Sequence, residues 1–193
     1  MAVVGDGVWQ AGGTLLVEAG ARVLRGGAGP ALPAAWAAGL AAGICRSGDV
    51  ARLDAVVAGI SGATRATALE VWADAWESLV SAERRRASCA ALIRLVGAGC
   101  PEAVAQLPAI VCMVSEVAAE GAAAAHEAAA RDRGGSVPSA VQLRRRALWS
   151  DCLEGAGPAA MLHRALESCR AQGGSAAVDA ALAEADGTIL AQL

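Results

Sequence analysis

An all-α fold of about eight helices is what this 193-residue sequence predicts, on three observations. Apolar residues recur at helical spacing in segment after segment, period-two strand patterns are nearly absent, and Ala, the best helix former, dominates the composition. The pattern is clearest between Thr64 and Gly97. Leu69, Trp72, Trp76, Leu79 and Val80 fall on one stripe, and Cys89, Leu92, Ile93 and Val96 follow. In a chain with no Phe and no Tyr, Trp72 and Trp76 are the natural core anchors, each able to bury on the order of 200 Å². Whether 64–97 is one helix or breaks near Glu83–Arg86 is open on spacing alone.

The remaining elements follow in order. Met1–Gly7 reads as an irregular lead-in and Val8–Leu24 as a first helix, with Val8, Leu15, Leu16, Ala19 and Val23 inward. Gly26–Leu32 is a Gly/Pro loop. Pro33 fits the first turn of a second helix, since its missing N–H has no intrahelical role there; Trp36, Leu40 and Ile44 line it and Gly48 ends it. Asp49 is an N-cap candidate for a short helix through Ile60, with Leu53, Val56 and Val57 inward. Thr64 opens the long segment, which Gly97, Gly99 and Pro101 close. A helix starts at Pro101 and should break at Pro108. Ala109–Ala130, nearly all Ala, Val and Ile, is the candidate central buried helix. Residues 131–139 (RDRGGSVPS) are the candidate hinge, and helical segments follow at Ala140–Glu154, Pro158–Gln172 and Ser175–Leu193. The length suits a single helical domain over 1–193, burying roughly 70% of its unfolded surface. Ankyrin-like phrases at 15–23 and 48–59 do not recur near their period of about 33 residues, so no repeat is read.

Absences exclude most common chemistries. Without Lys there is no Walker A loop and no Schiff base; without Tyr and Asn other catalytic sets fall away. Gly5 and Gly7 imitate a dinucleotide fingerprint, but Gln10 stands where the third Gly belongs. His126 and Glu127 begin an HExxH that Ala130 leaves unfinished. Glu116/Glu120 and His163/Glu167 are one-turn pairs of the kind solvated helix faces carry. Ser61, within GISGA, lacks the closing Gly of a nucleophile elbow, and Ser88 in RRAS sits inside a predicted helix. No cofactor and no metal site is expected.

The net charge of −3 argues against nucleic acid as the main partner. No basic leader precedes an apolar stretch at the start. The longest uncharged run, 26–45, is interrupted by Pro30, Pro33 and glycines, so no membrane span is expected. Six cysteines without a CxxC, mostly among apolar helix neighbours, read as reduced buried thiols of a cytoplasmic protein. The sharpest surface features are two Arg triplets, Arg84, Arg85, Arg86 and Arg144, Arg145, Arg146. Three consecutive guanidinium groups fan around a helix, so one of each triplet must meet the core side or an acid. These six are the candidate interaction residues. The expected function is a non-enzymatic helical interaction or structural module acting through helix–helix contacts, with self-association open to it. The alternative is a small enzyme or ligand-binding protein with a pocket near His126, Glu120 or His163; an Arg-dependent nucleic-acid binder is the third reading.

Overall fold

The computed structural model describes residues 3–26, 29–47, 50–131, 152 and 157–192. Among these every regular element is helical and no strand occurs: α1 (Val3–Leu24), α2 (Ala31–Ser47), α3 (Ala51–Ala58), α4 (Arg65–Asp74), α5 (Ala82–Gly97), α6 (Pro101–Ala105), α7 (Leu107–Arg131), α8 (Pro158–Cys169), α9 (Ser175–Glu184) and α10 (Gly187–Leu190). A 3-10 turn at Trp76–Ser78 follows α4, and a kinked turn at Arg170–Gly174 joins α8 to α9. The all-α expectation holds.

The centre is α5, which packs against α2, α6, α7 and α8. Ala87 to Ile93 are all buried, because Ala and Cys let neighbouring helices approach from several sides. Gly97 at its end comes so close to α8 that an added Cβ would lie 3.3 Å from the Ala165 backbone. Its carbonyl accepts from Ser168 Oγ (3.0 Å) and Gln172 Nε2 (2.9 Å), which satisfies one of the acceptors a helix C-terminus leaves over.

Several boundaries differ from the sequence reading, for physical reasons. The 64–97 stretch is two helices, divided at Ala75–Ser81 rather than near Glu83–Arg86. Thr64 caps α4 through a reciprocal pair with Thr67, and Gly62 takes the left-handed φ of +77° that the preceding turn requires. Leu69, Trp72, Trp76 and Leu79 are buried as expected, but the break turns Val80 out of the stripe to 89% exposure. Helix α1 begins at Val3, so Gly5 and Gly7 lie inside a helix and not in a phosphate-binding loop. Pro108 falls in the first turn of α7, where its missing N–H is harmless, and the break comes at Gln106.

Helix α7 is buried only along its first half, from Leu107 to Val117, whereas Ala122, Ala123 and His126 are exposed; α5, not 109–130, is the central helix. Its stretch Leu107–Ala124, with mean hydropathy 1.5, is long and apolar enough by length and composition to cross a membrane. It packs against α5, α6, α8, α9 and α10, as a core helix does. Gly48, Asp49 and residues 132–139 of the expected hinge lie outside the described residues, as does the expected helix at 140–154 except Cys152.

Candidate interaction surface

Helices α1 and α2 form an antiparallel hairpin whose close approach depends on glycine. Gly20 faces the Trp36 indole and Gly39 faces Leu16; a Cβ at either would meet those side chains at 2.8 Å and 2.5 Å. Trp36, 1% exposed, donates from Nε1 to the Leu16 carbonyl at 3.0 Å, so the ring is pinned across the hairpin. On the outer side the two helices leave a groove of about 690 Å³. Gly12, Leu15, Leu16 and Ala19 wall it from α1, and Leu32, Ala35, Trp36, Gly39, Ala42 and Gly43 line it from α2. Arg46, Ser47 and Arg52 form one end. Leu15 was expected inward; it stands 66% exposed on the rim.

A second cavity, of about 500 Å³, lies between the α4 end and α7, lined by Ala73, Asp74, Trp76, Glu77, Ala109, Cys112, Met113 and Glu116. Trp76 Nε1 donates to Glu116 Oε2 there at 2.8 Å. Neither cavity includes His126 or His163, which are exposed on α7 and α8, and Glu120 is engaged elsewhere. The structure therefore does not bring together the residues named for an enzymatic pocket. Among the described residues no three His, Cys, Asp or Glu groups gather as metal ligands would.

Of the candidate interaction residues, Arg84 is exposed while Arg85 and Arg86 are half-buried. Arg85 meets Glu120 of α7 at 2.5 Å, the acid contact that three consecutive arginines require of one member. Arg144, Arg145 and Arg146 lie outside the described residues. Ser88 is fully buried and accepts the Trp72 indole N–H, so its RRAS context is not a modification site in the folded chain. Ser61 is an exposed turn residue.

All six cysteines are free thiols, four of them buried. Burial pushes the Cys89 thiol up to about 12 and also raises Cys100. Cys45 is raised by its hydrogen bond with the Cys152 thiol and then by burial. Cys45, Cys89 and Cys100 are thus held toward the protonated thiol, away from the reactive thiolate.

The outer groove was not legible as a site. Its one sequence trace is Gly39 and Gly43, four apart on α2, a spacing that keeps a helix face low. No curated protein and no solved structure matches the chain. The family described as "Importin-11-like, TPR repeats" matches residues 60–193, more than half of the sequence, and takes in α4 to α10. Stacked helices built on a buried, small-residue spine are what a helical repeat family requires. The chain thus belongs to the Importin-11-like TPR repeat family.

Proposed function

We propose that this chain is a non-enzymatic helical-repeat module that binds a protein partner through exposed helix faces, as a segment of an importin-like helical array working in the cytoplasm. The observation that carries the reading is the family match over 60–193, since stacked helical repeats offer extended surfaces rather than closed active sites. The open apolar groove on α1 and α2 supports it. The net charge of −3 supports a protein partner over nucleic acid.

The full chain, immobilised and exposed to a cell extract, is expected to retain protein that cross-links to helix-face residues. Retention of nucleic acid alone, or of nothing, would overturn the reading. Self-association is its finer form, and light scattering decides it: a concentration-dependent rise above the 19.1 kDa of one chain is the expected sign.

A further inference from the structure

We infer that Cys45 of α2 and Cys152 form an oxidation site, where a hydroperoxide joins the two thiols in a reversible disulfide that staples α2 to the C-terminal half of the chain. The inference goes beyond the interaction reading and does not depend on it.

The two sulfurs already meet. Cys152 is 5% exposed in the core, and its thiol is hydrogen-bonded to that of Cys45. Helix α5 holds Cys45 from two sides. Its Sγ donates to the Ala87 carbonyl at 3.4 Å, and its own carbonyl accepts from Arg94 Nη1 at 3.1 Å. Sulfurs in hydrogen-bonded contact stand about 2 Å beyond the length of an S–S bond, a gap on the scale of side-chain rotation. Cys89 of α5 acts on Cys45 through charge alone, the smallest influence on it, so Cys152 is the partner.

The chemistry balances with the peroxide as oxidant. It oxidises one thiol to a sulfenic acid and leaves as water. The second sulfur then attacks the S–OH group, the S–O bond breaks and the S–S bond forms. The departing hydroxyl takes the second thiol proton and leaves as another water. Two thiols lose two electrons and two protons in all, and one hydrogen peroxide becomes two waters. Burial and the thiol–thiol contact hold Cys45 protonated, while the Arg94 charge beside it works the other way. The resting state is therefore the dithiol, and the buried Cys152 calls for a small oxidant.

The bond closes a loop of about 100 residues, a length at which a cross-link strongly restrains the unfolded chain. It joins α2, which precedes the family match, to a residue inside it. In a reducing cell interior such bonds are transient and report oxidation.

The test exposes the reduced full chain to excess hydrogen peroxide, blocks the remaining thiols and cleaves after arginine without reduction. Mass spectrometry should find peptides 26–46 and 147–164 of one chain joined through Cys45 and Cys152. The oxidised chain should melt at least about 5 °C above the same sample after dithiothreitol, which should also release the two peptides. Cys45→Ala and Cys152→Ala should each abolish the link and the shift, whereas Cys112→Ala should keep both. The mapping is made on the wild-type chain, so a variant that misfolds leaves it decisive. An unlinked chain, a link from Cys45 to Cys89, or a link between two chains overturns the inference. Sulfinic or sulfonic acid at Cys45 in place of the link also overturns it. So does a correct link that leaves the melt unchanged, because the bond would then staple nothing.

Discussion

Trp76 reaches from the 3-10 turn after α4 to the far side of a cavity, where its indole N–H donates to Glu116 of α7 at 2.8 Å. The ring is 5% exposed and thus ties two parts of the fold by packing and by one directed bond. Truncating it to Ala should cost about 3–5 kcal/mol in urea denaturation. Trp76→Phe keeps most of the apolar contact and should cost about 1–3 kcal/mol. Glu116→Gln retains an acceptor oxygen and should change stability by less than about 1 kcal/mol. A larger loss for Glu116→Gln than for Trp76→Ala would show that the charge, not the ring, holds this junction.

That junction also shows where sequence reading stops. The helices were legible because apolar residues repeat at helical spacing, and Leu69, Trp72, Trp76 and Leu79 are buried as their spacing predicts. The break at Ala75 was not legible, since no Gly or Pro marks Ala73–Leu79; a tertiary bond, Trp76 to Glu116, accompanies the tighter turn and Val80 is thrown out. Leu15 could not be placed because its exposure depends on how α2 crosses α1. The repeat family was hidden for a compositional reason: the TPR pattern relies on Tyr and Phe positions, and this chain has neither residue.

The Arg85–Glu120 contact predicts a measurable coupling. Both side chains are about a quarter exposed, at 27% and 26%. Arg85 Nε and Glu120 Oε2 have no hydrogen-bond partner, so the pair is held by a single contact and not by a two-bond fork. Arg85→Ala should therefore cost about 1 kcal/mol, the low end for stranding a partly buried charge. Glu120→Ala should cost about as much, and the double variant less than the two losses added. Strict additivity would mean that the contact contributes nothing.

The thiols should react in an order set by burial and by neighbouring thiols. Half-buried Cys112 should label first with a thiol reagent in the native state. Cys45 has similar exposure but should lag, because its bond with the Cys152 thiol and its burial hold it protonated. Cys89, raised to about 12, should label only on unfolding. Reducing agent should leave the melting temperature unchanged, and a fall of several degrees would reveal a disulfide.

Glu102 predicts a pH dependence with a definite sign. Its own backbone N–H and the Cys100 thiol, at 3.2 Å, hydrogen-bond the carboxylate and hold its pKa below the usual 4.5. A carboxyl depressed in the folded state adds stability above its unfolded pKa and loses it as pH falls through the folded value. Glu102→Gln should thus melt below wild type at neutral pH, and the gap should close as pH drops below 4.5. A gap that stays constant with pH would show that the charge plays no part.

The last prediction separates two glycines of the hairpin. Replacing a helical Gly by Ala favours the helix by about 1 kcal/mol where space allows. At Gly39 the added Cβ would meet Leu16 Cδ2 at 2.5 Å, the far end of a half-buried, flexible side chain that can turn away. Gly39→Ala should be within about 1 kcal/mol of wild type, since the gain offsets the shift. At Gly20 it would meet Ile60 Cδ1 at 2.6 Å and Trp36 Nε1 at 2.8 Å. The indole cannot yield, because it is buried and bonded to the Leu16 carbonyl. Gly20→Ala must therefore push α1 away from α2, an overpacking cost of about 1–3 kcal/mol that exceeds the helix gain. Thermal melts of the two variants should differ in that direction. If Gly20→Ala proves as stable as Gly39→Ala, the Trp36–Leu16 bond does not set how closely the hairpin closes.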